Sequence, residues 1–186
     1  MAQKNDSRRV RMTKLMMKNA LLELMDHQSL INITVTAICE TADVHRSTFY
    51  NYYKDPAELL WDIEQDFLNR IPAPPDNLDQ KNQKSLIAAT TKFFDYIQEN
   101  KKQIRILFNE SCGDGFAMRL REHLFHGFIP VDEDLDELTV RYTQLYIANG
   151  AVGILREWIY SDFSISSVRI AEMMYSLSRR IAYPPD

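Results

Sequence analysis

The chain has 186 residues, 45% of them hydrophobic and 26% charged, a balance that suits one or two globular units with a real core. No apolar run nears the ~18 residues that a bilayer span requires, so no membrane partner is expected. The net charge of −4 is unevenly shared: residues 1–54 carry eight Lys/Arg and five Asp/Glu, and residues 55–186 carry fourteen and twenty-one. A basic head on an acidic body suits a protein with one end that meets phosphates.

The opening MAQKNDSRRVRMTK is basic and has no apolar h-region, so no secretory signal is expected. Cys39 and Cys112, far apart in sequence, are expected to stay reduced in a cytoplasmic protein. With only five glycines and little strict alternation, the pattern is helical nearly throughout. A first helix is predicted over about Arg8 to His27. Met17, Leu21, Leu24 and Met25 form its buried stripe, and Lys14, Lys18, Glu23 and Asp26 its remaining face. Thr34 is placed to cap a second helix whose Val35, Ile38, Cys39 and Ala42 face inward. Asp43 breaks that helix, because Asp tolerates the dihedrals of a tight turn. A third, from about Arg46 to Tyr52, is anchored by Phe49 and by Tyr53 just beyond it.

Asp55-Pro56-Ala57-Glu58 is a helix start with a cap, a proline at the first position and a glutamate able to close a capping box. Leu59, Leu60, Ile63, Phe67 and Ile71 line that helix, and Pro72, Pro74 and Pro75 end it. The domain boundary is therefore expected between residues 71 and 72. Beyond it, helices are predicted over about Lys84–Glu99, around Ile104–Phe108, over about Gly115–Gly127, Asp134–Tyr160 and Ser164–Ala182.

The second and third helices, behind a scaffolding first helix, are the parts of a helix-turn-helix. His45, Arg46, Ser47, Thr48, Tyr50, Asn51, Tyr52 and Lys54 surround a single apolar anchor. Arg forks onto guanine, Ser and Thr reach bases or phosphates, and Tyr and Lys clamp the backbone. Such a face is costly to bury, and three tyrosines are too bulky for plain solvent. At least one is expected to pack inside while the others meet a partner.

The stretch TVTAICETADVHRSTFYNYYKDPAELL, residues 34–60, closely resembles the DNA-binding domain of the TetR family of bacterial regulators. The resemblance extends over about residues 8–70. It implies that the Arg46–Tyr52 helix enters the major groove, that Tyr50 contacts phosphate, and that Thr34 and Thr36 open the helix that straddles the backbone. Asp43 stands where the family usually has Gly, and Pro56 where a phosphate-binding lysine often opens the fourth helix. Pro56 cannot donate, so that contact is either lost or passes to Lys54.

Asn149 to Ile159, within a weaker match over roughly Leu138–Leu177, resembles the penultimate helix of a C-terminal domain common among Firmicutes members of the family. Gly150 and Gly153 inside a helix cost about 1 kcal/mol each relative to Ala, so another helix is expected to approach closely. The last helix is apolar on more than one face, which is best met by a symmetric partner. The expected dimer interface is Gly150, Gly153, Ile154, Met173, Met174 and Leu177.

An effector pocket is expected among Phe93, Tyr96, Phe108, Phe116, Tyr142, Tyr146 and Trp158, with Arg119, Asn149 and Arg156 as polar candidates. His123 and His126 share a helix face, but Glu122 and Cys112 are not spaced for a standard metal site, so no metal is expected. With no convincing nucleophile–base pair or phosphate loop, neither an enzyme nor a cofactor is expected. The expectation is an all-α chain: a three-helix helix-turn-helix domain (1–71, with connecting helix 55–71) joined to a helical-bundle effector-binding and dimerisation domain (72–186). Its expected partners are double-stranded operator DNA, a second copy of itself and a small-molecule effector. A repressor is favoured; a coregulator or activator whose body binds a protein partner is the alternative.

Overall fold

The computed structural model describes residues 2–75, 82–109, 115–127 and 135–182, with side chains for 8–75, 82–109, 115–124 and 135–181. Every regular element among these residues is helical. Cys112, Phe125, His126, Asp134 and the Phe128–Pro130 stretch, all noted in the sequence, lie outside the described side chains. The chain divides into two units, one running to Asn69 and the other starting at Arg70.

In the first unit α1 (Ala2–Met25) packs on α2 (Val35–Ala42) and α4 (Pro56–Asn69), and α2 leads into α3 (Arg46–Tyr50). Met17, Leu21 and Met25 of α1 meet a core that holds Ile38, Cys39, Ala42, Phe49, Leu59, Ile63 and Phe67, all buried. Helix α1 begins before the expected Arg8 and ends at Met25, because the apolar stripe that located it starts only in its second half. Helix α3 ends at Tyr50 instead of Tyr52: the Tyr52 and Tyr53 amides both donate to the Phe49 carbonyl (2.9 Å each), which closes the helix into a turn.

The capping chemistry follows the sequence closely. The Thr34 hydroxyl accepts from the Ala37 amide (3.1 Å). Asp43 takes a left-handed conformation (φ 51°), which lets the Val44 amide return to the Cys39 carbonyl (3.0 Å) and turns the chain out of α2. At the start of α4 the Glu58 amide donates to Asp55 Oδ1 (2.8 Å), and Glu58 Oε2 accepts from the Lys54 amide (2.7 Å).

A polar network joins α1, α4 and Tyr53, which follows α3. The Tyr53 hydroxyl donates to Asp62 Oδ2 (2.7 Å), and Lys18 Nζ reaches Asp62 (2.9 Å) and Asp66 (2.6 Å). Lys14 adds a longer ion pair to Asp62 (3.8 Å), and its ammonium lies over the rings of Tyr52 (5.8 Å) and Tyr53 (5.1 Å). On that remaining face of α1 Lys14 and Lys18 are half-buried against these partners, while Glu23 and Asp26 are exposed. Burial alone would raise the Asp62 carboxyl, but the Tyr53 hydroxyl, Lys18 and Lys14 hold it below its ordinary value. Burial and donation to Asp62 both push the Tyr53 phenol upward, so it stays a donor.

The second unit comprises α5 (Gln83–Glu99), α6 (Lys101–Leu107), α7 (Gly115–Gly127), α8 (Glu137–Tyr160) and α9 (Ser167–Ala182). Its main layer is α5 against α9, with α7 and α6 on α8. Helix α8 starts later than the sequence suggested because Asp136 caps it, accepting from the Thr139 amide (3.1 Å). Between α8 and α9, Asp162 and Phe163 both have positive φ (57° and 58°), so α9 starts at Ser167 and not at Ser164. That turn is held by Arg105, which pairs with Asp162 and stacks over Phe163 (5.4 Å), and by Trp158 Nε1 donating to the Ile165 carbonyl (2.8 Å).

Two outcomes follow for the first unit. Phe49→Ala empties the site of a fully buried ring and is expected to lower unfolding stability by about 3–5 kcal/mol in chemical denaturation. Asp62→Asn is expected to cost about 1.5–3 kcal/mol near neutral pH, since it removes hydrogen bonds to a charged acceptor. A depressed carboxyl contributes stability above its unfolded-state value and loses it as pH falls through the folded one. The gap between wild type and Asp62→Asn should therefore close as the pH drops below about 4; a gap that persists in acid would count against the network.

Candidate nucleic-acid interface

Helix α3 has only five residues, and its two faces differ sharply in chemistry. Phe49 is fully buried and Tyr53 nearly so, their ring centroids 5.8 Å apart, and together they pin the segment to the head. On the opposite side His45, Arg46, Ser47, Tyr50, Asn51 and Lys54 are exposed, while Thr48 and Tyr52 are half-buried. Tyr50 stands 59% exposed with its ring edge-on to Phe49 (5.7 Å), so its hydroxyl end points away from the core. One tyrosine of the three is thus inside, one outside, and Tyr52 lies between them under Lys14.

At the start of α2 Thr34 is exposed and Thr36 half-buried. The Thr34 hydroxyl already serves its own helix as a cap and retains a proton to donate outward. Cys39 is buried, and burial pushes its thiol up, in keeping with a small core residue. The surface gathers hydroxyls, an imidazole, a guanidinium and an amide around a short helix of the kind that fits a major groove. Sequence reasoning missed the residues behind it: Lys14, Lys18, Asp62 and Asp66. The available signal was the matched four-residue spacing of two lysines on α1 and two aspartates on α4.

In the second unit the expected pocket residues fall into different places. Phe93, Phe108, Phe116 and Trp158 are buried, with Phe108 against Phe116 (5.5 Å) and Trp158 against Phe94 (5.3 Å). Tyr96, Arg119 and Arg156 are half-buried, Arg156 over the Phe108 ring (5.8 Å). Tyr142, Tyr146 and Asn149 are exposed, and the Asn149 amide donates to the Leu145 carbonyl (2.7 Å). Tyr142 and Tyr146 line an open groove of about 510 Å³ with Leu138, Thr139, Thr143 and Ile181. Of the expected interface residues, Gly150, Gly153, Met173 and Leu177 are exposed and Ile154 and Met174 half-buried. His123 is half-buried, and burial lowers its imidazole. No helix among the described residues is long and apolar enough to cross a membrane.

Residues 84–180, more than half of the chain, match a TetR family model described as a transcriptional regulator C-terminal region. The HTH-type dhaKLM operon transcriptional activator DhaS of Lactococcus lactis subsp. lactis (strain IL1403) is 32% identical over 90 residues, 48% of this chain and 45% of that relative. The match thus spans under half the length of the curated relative. Among solved structures, a TetR transcriptional regulator from Streptococcus agalactiae 2603V superposes with a TM-score of 0.72 at 20% identity, covering 96% of this chain and 99% of its own. A dihydroxyacetone kinase operon activator, DhaS, gives a TM-score of 0.62 at 21% identity, covering 91% and 96%. With a family model on the body and the same all-helical fold in these structures, the chain belongs to the TetR family of transcriptional regulators, which are not enzymes.

Proposed function

We propose that this chain is a cytoplasmic, homodimeric regulator that grips a palindromic operator with its head (residues 1–71) and represses transcription until a small molecule bound by its body (residues 72–186) releases it. The observation that carries the DNA reading is the two-faced α3, with Phe49 and Tyr53 buried and Arg46, Ser47, Tyr50 and Asn51 outward. Arg46 is assigned to base edges, with Ser47, Thr48 and Asn51 beside it. Tyr50, Tyr52, Lys54, Thr34 and Thr36 are assigned to phosphates. His45, at the N-cap of α3, is assigned to the edge of the groove. Pro56 has no N–H, and Lys54 is exposed two residues earlier to take the phosphate that a lysine there would bind.

Two heads must meet half-sites about 34–36 Å apart or a multiple of that spacing. The dimer face is assigned to α8 and α9: Gly150, Gly153 and Ile154 with Met173, Met174 and Leu177. A ligand that favours one arrangement of the bodies shifts DNA affinity by its differential affinity for the two states. A second reading, activation through a protein partner docked on the body, is favoured by the activator relative and by the ring-on-ring packing of Phe93, Phe108, Phe116 and Trp158 in the core. Deleting the gene separates the two: a repressor's target rises, an activator's falls.

Arg46→Ala is expected to cost about 1–3 kcal/mol on a duplex selected from a random pool and little on unselected DNA. An unchanged ratio between the two would remove Arg46 from base readout. Tyr50→Phe should weaken both alike. The wild-type chain is expected to sediment as a dimer, and Met173→Glu with Leu177→Glu as a helical monomer. A double variant that remained dimeric would overturn the assigned face.

A further inference from the structure

Arg8, Arg9 and Arg11 are exposed on the early turns of α1, and their guanidinium groups have no hydrogen-bond or ion-pair partner among the described residues. They differ in this from Lys14 and Lys18 further along the helix, which are committed to Asp62 and Asp66. Like charges three residues apart repel on a helix surface, so this cluster carries a cost that an anion would relieve.

The ion pairs also show where the cluster sits. The pairs run in step along α1 and α4: Lys18 meets Asp66, and Lys14, one turn earlier, meets Asp62 and the Tyr52–Tyr53 rings. Three residues further back, about 4.5 Å along the axis, Arg11 comes level with the Lys54–Glu58 corner, and Arg8 lies about 4.5 Å beyond it. At 100° per residue, Arg11 is about 20° from Lys18 and about 60° from Lys14 around α1, and Arg8 follows about 60° further on. Arg9 lies about 160° from Arg11, on the other flank. The nearest acids at this corner, Asp55 and Glu58, already accept backbone amides.

We propose that Arg8 and Arg11 form a second phosphate grip, continuing the edge marked by Tyr52 and Lys54 onto the duplex backbone outside the groove that α3 enters. This rests on the DNA-binding reading above. The occupant is a double-stranded nucleic-acid backbone, because the two guanidinium groups fork onto phosphate oxygens and the edge they extend is the proposed interface itself. The grip carries no sequence information. It raises affinity for every duplex alike and lengthens the protected footprint.

The test compares salt dependence of binding by the full chain to two duplexes: one of mixed sequence, and one selected from a random pool. Each phosphate contact contributes about 0.9 to the slope of log affinity against log salt. Arg8→Gln with Arg11→Gln should lower the slope by about 1.8 per head on both duplexes, with the affinity ratio between them unchanged. Arg8→Lys with Arg11→Lys should restore most of the slope, and Arg9→Gln should leave it unchanged. An unaltered slope in the double glutamine variant overturns the grip while leaving the α3 reading intact. An equal loss with Arg9→Gln overturns the assigned row. A wild-type chain that binds neither duplex overturns both readings.

Discussion

A helix of five residues cannot hold itself together, because nucleation alone costs more than one turn of hydrogen bonds returns. Helix α3 exists where it does because Phe49 and Tyr53 are sunk into the core of the head. The Tyr53 hydroxyl then fixes the segment a second time, on Asp62 of α4. With those two side chains inward and the Asp43 turn redirecting the chain behind them, the polar side chains of α3 have only the outside left to face. The shape of this polar surface is therefore a by-product of two buried rings and one hydrogen bond. The outer residues can vary in chemistry without cost to the fold, which allows a regulator to change its site while it keeps its head.

The same network answers an electrostatic objection. An acidic chain is poorly suited to meet phosphates, and α4 brings Asp62 and Asp66 close behind α3 and its following turn. Both carboxylates are met by Lys18, and Lys14 stands beside Asp62. Two potentially repulsive charges are thus neutralised inside the head, while Arg8, Arg9, Arg11, Arg46 and Lys54 stay exposed. At these separations pairwise neutralisation matters more than net charge, because exposed charges further than about 8–10 Å apart are screened at physiological salt. The sum of −4 describes the chain as a whole and not the surface that DNA would meet.

Much of the head could be read directly, because each cue had one physical solution. The spacing of Ile38, Cys39 and Ala42 admits one inward face, and Asp55-Pro56-Ala57-Glu58 admits little but a helix start. What Lys14 and Lys18 face was not legible, because a lysine at the edge of a helix stripe has the same periodicity whether it faces water or a carboxylate. Only the packing partner decides, and the aspartates lie some fifty residues away in sequence. The body was less legible for a related reason. Aromatic residues serve cores and surfaces alike, so composition could not separate Phe108 and Phe116, buried against each other, from Tyr142 and Tyr146 on an open groove. The helix boundaries that moved, at Tyr50 and Ser167, are set by turn hydrogen bonds and positive φ angles that no apolar pattern encodes.

The two glycines of α8 sharpen what remains. A Cβ built on Gly150 or Gly153 would meet nothing within 4 Å among the described residues, and none of these needs their smallness. Yet each weakens the helix by about 1 kcal/mol relative to Ala. Across α9, Met173, Leu177 and Ile181 are 38%, 45% and 37% exposed, an apolar row that water covers poorly. Smallness without an internal neighbour and apolarity without an internal cover are satisfied together if a second copy approaches α8 and α9. Close approach at the glycines would bring helix backbones within the 8–10 Å range of packed pairs or nearer. The separation of two such bodies would then depend on how those helices pack.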